Sequence, residues 1–146
     1  MKALLQRVQK GSVSVDGNIV GEIDQGLVIL LGIGPEDGEE QAKELAYKIS
    51  HLRIFADRAG KMNLSLLDIG GEALVVPQFT LYANTDKGHR PSFVGAAPPK
   101  LARSMVEKFT TFLKRLDVPT QSGQFGAHML IEIHNDGPVT IALEVE

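Results

Sequence analysis

Four histidines are the residues whose type most directly invites chemistry, either as metal ligands or as the base of a triad. His128 and His134 stand six residues apart in a strand-like pattern. They would share a face there but lie roughly 20 Å apart, too far to hold one metal within one strand. His51 falls at the end of a helical pattern and His89 in a polar stretch, so no metal-ligand spacing emerges. No serine sits in a Gly-x-Ser-x-Gly elbow. Ser65 and Ser92 read as turn or cap hydroxyls, and Glu39-Glu40 as a solvated helix face. Two other segments are less ordinary. Pro77-Gln78-Phe79-Thr80 interrupts the apolar stretch 74–82 with a residue that cannot donate to a ladder and an amide among apolar neighbours. An edge strand with a bulge accounts for it without chemistry. Residues 135–140 (NDGPVT) gather turn formers and read as a hairpin turn. The Gly137–Pro138 bond has a further possibility, because an X-Pro bond in the cis form aims two carbonyls in one direction.

These segments need elements to position them. Residues 3–8 and 12–15 read as strand, Asp16-Gly17 as a tight turn and residues 19–23 as the returning arm. The glycine-bounded apolar run 26–34 reads as a buried strand. Pro35, Glu36 and Asp37 suit a helix start, and Ala42, Leu45, Ala46, Ile49 and Leu52 recur at helical spacing. Residues 53–55 predict a short strand, 57–60 a turn and 74–82 a longer strand. A second helix begins at Pro98-Pro99, presents Leu101, Met105, Phe109, Phe112, Leu113 and Leu116 on one face, and stops at Val118-Pro119. Alternation over 129–134 and 139–146 predicts two closing strands. The expected fold is α+β: a single compact domain over residues 1–146, with a curved antiparallel or mixed barrel-like sheet and two main helices outside.

Composition narrows the function classes. A 43% hydrophobic and 23% charged chain of 146 residues has enough material for one core and no signature of disorder. It contains no cysteine, which removes disulfides, thiolate nucleophiles and cysteine metal sites and fits a reducing cytoplasm. The apolar run at residues 3–5 is broken too early for a signal peptide, and residues 27–33 are too few to cross a bilayer. The net charge of −3 speaks against a general nucleic-acid coat, so any RNA contact has to be local.

Six segments, in order along the whole chain, carry a resemblance: 1–8 (MKALLQRV), 63–71 (NLSLLDIGG), 77–82 (PQFTLY), 87–93 (KGHRPSF), 123–129 (GQFGAHM) and 135–140 (NDGPVT). Together they resemble the D-aminoacyl-tRNA deacylase family, also called D-Tyr-tRNA deacylase. The resemblance implies a small barrel-like fold working as a cytoplasmic homodimer, without cofactor or metal. It implies hydrolysis of the ester between a D-amino acid and the 3′-terminal ribose of tRNA. It assigns Gln78, Phe79 and Thr80 to catalysis. Gly137 and Pro138 match a Gly-cis-Pro motif that enters the partner subunit's pocket and rejects L-amino acids. Phe125 and Met129 match a pocket wall, which core packing explains equally well. Lys87, His89 and Arg90 form a cationic cluster suited to tRNA phosphates, or an ordinary solvated loop.

An aminoacyl ester is already activated, so a positioned water and donors for the developing oxyanion suffice. Backbone N–H groups near Phe79 and Thr80 are the expected donors, with the neighbouring ribose hydroxyl helping to activate the water. Thr80 as a nucleophile is the alternative, although no base adjoins it in sequence. The chain departs from the family at Pro77, where serine is common, so that serine's hydroxyl and N–H do not carry over. A non-catalytic RNA-end-binding homodimer and a broader esterase or amidase are the competing readings.

Overall fold

In the computed structural model, which describes all residues from Met1 to Glu146, apolar alternation at the N-terminus builds one long strand, β1 (Lys2–Val15). Asp16 and Gly17, both at positive φ, turn the chain into β2 (Asn18–Ile23). The glycine-bounded apolar run becomes β3 (Gly26–Gly32), antiparallel to the first half of β1. Helix α1 (Glu39–His51) follows, then a small hairpin of β4 (Phe55–Ala56) and β5 (Met62–Leu64). Strand β6 (Glu72–Pro77) lies parallel to β3. Helix α2 (Pro99–Arg115) leads to β7 (Thr120–Ser122), parallel to β6. Strand β8 (Leu130–Glu144) closes the chain by pairing along nearly all of β1.

Each parallel pair needs a long crossover, and each crossover here carries one of the helices. Leu45, Ala46 and Ile49 of α1 and Phe109 and Leu113 of α2 join Leu5, Leu27, Ile29 and Val75 in one fully buried core. The sheet's opposite face curls over a second core of Val8, Val13, Ile23, Val28, Leu74 and Val76. The two ends of the sheet come together: Glu22 N–H donates to Gln121 Oε1 at 2.9 Å. A side chain at Gly21 would press on Leu74 (3.1 Å) and on the Ser122 carbonyl (3.2 Å), so glycine permits the closure. The expected mixed, barrel-like α+β fold is what forms.

Three expectations require correction. Helix α1 does not start at Pro35-Glu36-Asp37 but at Glu39, after Gly38. Asp37 is buried instead, accepting from Gly34 N–H (2.6 Å) and from the Met1 ammonium (2.6 Å). The strand expected over 74–82 ends at Pro77, and β6 is interior, not an edge. β7 reaches only as far as Val75, so the missing Pro77 N–H faces no neighbouring strand. Residues 135–140 do not form a hairpin. They lie within β8, which pairs with β1 on both sides of them. Between the pairs Gln6–Thr140 and Val8–Asn135, β8 has three more residues than β1, and the surplus is pushed out of the sheet.

Candidate active site

The chain leaves β6 through one last ladder bond, Gln78 N–H to the Leu31 carbonyl at 2.8 Å. It then winds into a 3₁₀ turn, Phe79–Tyr82. Leu81 N–H bonds the Gln78 carbonyl (3.3 Å) and Ala83 N–H the Thr80 carbonyl (3.0 Å). The N–H groups of Phe79 and Thr80 precede the first of these bonds and have no acceptor in the turn. Gln78 Nε2 donates to the Thr80 hydroxyl. That amide cannot accept a proton, and no imidazole, amine or carboxylate contacts the hydroxyl.

This turn is braced from behind. A side chain at Gly32 would meet the Gln78 carbonyl at 3.1 Å, and one at Gly34 the Tyr82 hydroxyl at 2.8 Å. The Tyr82 hydroxyl donates to Asp37 Oδ2 at 3.4 Å. Burial first, and then the Asp37 carboxylate, push the Tyr82 phenol far above its usual range, so it remains a neutral donor.

In front of the turn opens a cavity of about 760 Å³, the size of a small-molecule site. Its walls come from Gln78 and Phe79, from Phe93 and Val94, from the first turns of α2, and from Phe125, His128 and Met129. Phe79 meets Phe93 edge to face at 5.1 Å between ring centres. The structure therefore brings Gln78, Phe79, Phe125 and Met129 together around one space. Thr80 sits beside it, with its hydroxyl engaged by Gln78.

Gly137 and Pro138 are elsewhere. The bond between them is cis, both residues are exposed, and neither lines the cavity. Strand β8, which carries them, is separated from β6 in the sheet order by β1 and β3. Arg7 pins the projecting segment. Its Nε donates to the Asp136 carbonyl at 3.1 Å, and its Nη1 reaches the Ile54 carbonyl at 2.7 Å. Asn135 Oδ1 accepts from Val139 N–H at 3.0 Å across the base of the projection. Gly137 has φ +127°, and a side chain there would approach Arg7 Nη2 at 3.0 Å. Lys87, His89 and Arg90 occupy an exposed loop whose base is closed by the reciprocal Asn84–Ser92 backbone bonds. Phe93 and Val94, which follow it, enter the cavity wall.

Residues 4–144 match the family model described as D-Tyr-tRNA(Tyr) deacylase. The chain belongs to this family. The D-aminoacyl-tRNA deacylase of Roseiflexus castenholzii is 58% identical, covering 99% of this chain and 92% of that protein. The one of Thermomicrobium roseum is 56% identical, covering 99% and 94%. A solved structure titled c-Myc DNA Unwinding Element Binding Protein superposes with a TM-score of 0.94 at 39% identity, over 100% of this chain and 99% of the other. A probable eukaryotic D-amino acid tRNA deacylase shares the fold with a TM-score of 0.86 at 17% identity, over 99% and 98%. The family resemblance read from the six segments is thus borne out.

Several residues of this deacylase-family site escaped sequence reasoning. Arg7 lay inside a strand pattern, and nothing local marked its partner 129 residues away. Asp37 looked like a helix-start acid. His128, expected as a surface or satisfied residue, lines the cavity. The paired glycines at 32 and 34 were the one available signal for Tyr82, since glycines at alternate strand positions mark a close approach. No three His, Asp or Glu side chains converge as a metal-binding group. No helix is long and apolar enough to cross a membrane.

Proposed function

We propose that this chain hydrolyses the ester joining a D-amino acid to the 3′-terminal ribose of tRNA, releasing free D-amino acid and tRNA. The observation that carries this reading is the pair of unengaged N–H groups, Phe79 and Thr80, at the rim of a nucleoside-sized apolar cavity in a member of this family. Water attacks the ester carbonyl carbon, and the two N–H groups receive the oxyanion of the tetrahedral intermediate. The carbon–oxygen bond to the ribose breaks, and the water's proton passes to the departing ribose oxygen. The neighbouring ribose hydroxyl orients the attacking water. Because the ester is activated, this chemistry requires neither metal nor cofactor. Phe125 and Met129 hold the terminal nucleoside, and Lys87, His89 and Arg90 meet tRNA phosphates.

The working unit is a homodimer of whole 1–146 chains acting in the cytoplasm. Gly137 and Pro138 are exposed, project from the sheet and do not line their own cavity, which supports insertion into the cavity of a second copy. There their carbonyls face the amino group and the hydrogen of the substrate's α-carbon, leaving no room for an L side chain. Selection by exclusion is blind to a substrate without a side chain. Glycyl-tRNA is therefore expected to be hydrolysed, in a single-turnover assay, at a rate comparable to that of D-aminoacyl-tRNA. Survival of the glycyl ester alongside rapid loss of the D-ester would contradict the steric account.

A further inference from the structure

The chain as a whole carries a net charge of −3, but the stretch from Pro77 to Val106, which supplies much of the cavity wall, is basic. It holds Lys87, Arg90, Lys100 and Arg103 against a single carboxylate, Asp86. None of the four cations is paired, since the protein's five ion pairs all lie elsewhere. Two of the four belong to α2, and their placement is specific. Pro99, Ala102 and Val106 turn toward the cavity. Lys100, Arg103 and Glu107 are each one residue further on, about 100° round the helix, and form an exposed stripe beside that wall in which two cations precede one unpaired acid. The Arg103 guanidinium stands 5.1 Å from the ring centre of Phe125, a wall residue, so its charge is held at the cavity rim.

The charge placement also opposes the local field. Helix α1 carries Glu39 and Glu40 in its first turn and Lys48 and His51 in its last, the arrangement the helix dipole favours. Helix α2 has no acid in its first turn and carries Lys100 there. A cation repelled by its own helix and left without a partner is a local conflict, of the kind proteins retain where a ligand resolves it. A neighbouring anion resolves this one.

We propose that Lys100 and Arg103 bind the phosphates joining the terminal nucleoside of the substrate to the nucleotides before it. They would extend along α2 the contact expected of Lys87 and Arg90, guiding a single-stranded RNA 3′ end into the cavity. The inference rests on the deacylase reading and adds a substrate-contacting surface to it. Such contacts act on capture of the polyanion, leaving hydrolysis itself unchanged.

The test compares D-tyrosyl-tRNA with 3′-O-D-tyrosyl adenosine, which has no phosphate. The proteins are wild type, the double variant K100Q/R103Q and the control K114Q/R115Q, which removes equal charge from the other end of α2. In the K100Q/R103Q protein, kcat/KM on the tRNA ester should fall about tenfold, and its logarithmic salt dependence should flatten by about 1.4. Hydrolysis of the nucleoside ester should stay within about twofold of wild type, and the control should match wild type on both. A parallel fall on both substrates would overturn the proposal and make Arg103 a support for Phe125. Unchanged kinetics, or an equal fall in the control, would overturn it too. If wild type hydrolysed neither ester, the deacylase reading itself would fail, and this inference with it.

Discussion

The Tyr82 hydroxyl reaches Asp37 Oδ2 across 3.4 Å and so ties the turn bearing Gln78, Phe79 and Thr80 to the segment that follows β3. At that length the bond contributes less than about 1 kcal/mol, and ring packing over Gly32 and Gly34 supplies the rest of the brace. Tyr82→Phe should therefore lower kcat by no more than about fivefold, with KM unchanged. Gly34→Ala forces a methyl to within 2.8 Å of the hydroxyl and 3.3 Å of Asp37 Oδ2. It should cost about 1–3 kcal/mol of stability and lower kcat further. Adding Tyr82→Phe to Gly34→Ala removes the closest atom and should restore part of the loss. Steady-state kinetics on the double variant decides the matter, since strictly additive losses would refute the brace.

Arg7 holds the segment bearing Gly137 and Pro138, so under the proposed filter its loss should alter selectivity more than rate. It is largely buried and donates to two backbone carbonyls, those of Asp136 and Ile54. Arg7→Ala should destabilise the protein by about 1–3 kcal/mol, because two part-buried carbonyls lose a charged donor and Asp136 loses its ion pair. With the projection released, loss of L-tyrosyl-tRNA should rise relative to D-tyrosyl-tRNA. Arg7→Lys should behave like Arg7→Ala in selectivity, because one ammonium cannot serve both carbonyls at the angles of a guanidinium. Unchanged discrimination between the two esters in both variants would separate Arg7 from the filter.

The backbone account makes Thr80 dispensable. Its hydroxyl contacts only an amide, and the proposed donors are N–H groups that any residue provides. Thr80→Ala should retain single-turnover rates within about tenfold of wild type, a loss far smaller than that expected for a missing nucleophile. Pro77→Ser should be close to neutral, because no strand lies where its N–H would point. Trapping a covalent Thr80 ester would overturn the water-attack route. A large gain from Pro77→Ser would show that the hydroxyl common in the family matters.

What the sequence made legible follows from the range of each signal. The period-two alternation of residues 3–15, the Asp16-Gly17 turn and the helical spacing of Leu45, Ile49, Phe109 and Leu113 are local, and these became the expected elements, whereas the two closing strands expected over 129–134 and 139–146 are one continuous β8. Residues 135–140 misled because their composition is that of a turn. Whether such a segment reverses the chain depends on the partner strand, and β1 continues past it. Asp37 misled for the same reason: besides the local Gly34 N–H, its partners Met1 and Tyr82 are brought in only by tertiary structure. Gln78, Phe79, Phe125 and Met129 share a cavity that no spacing rule would have assembled. They were found because six motifs kept their order along the chain. That Gly137 stands outside its own cavity was not legible at all, since it depends on strand order.

Hydrolysis of the D-ester is expected to be selective and to need no metal. The most direct measurement is release of tyrosine from D-tyrosyl-tRNA and L-tyrosyl-tRNA in parallel, with a chelator present throughout. Catalytic loss of the D-ester is expected, undiminished by the chelator, while the L-ester decays only at its spontaneous rate. Equal loss of both would contradict the Gly137–Pro138 filter. Persistence of both would contradict the deacylase reading and leave a cavity that binds an RNA end without hydrolysing it.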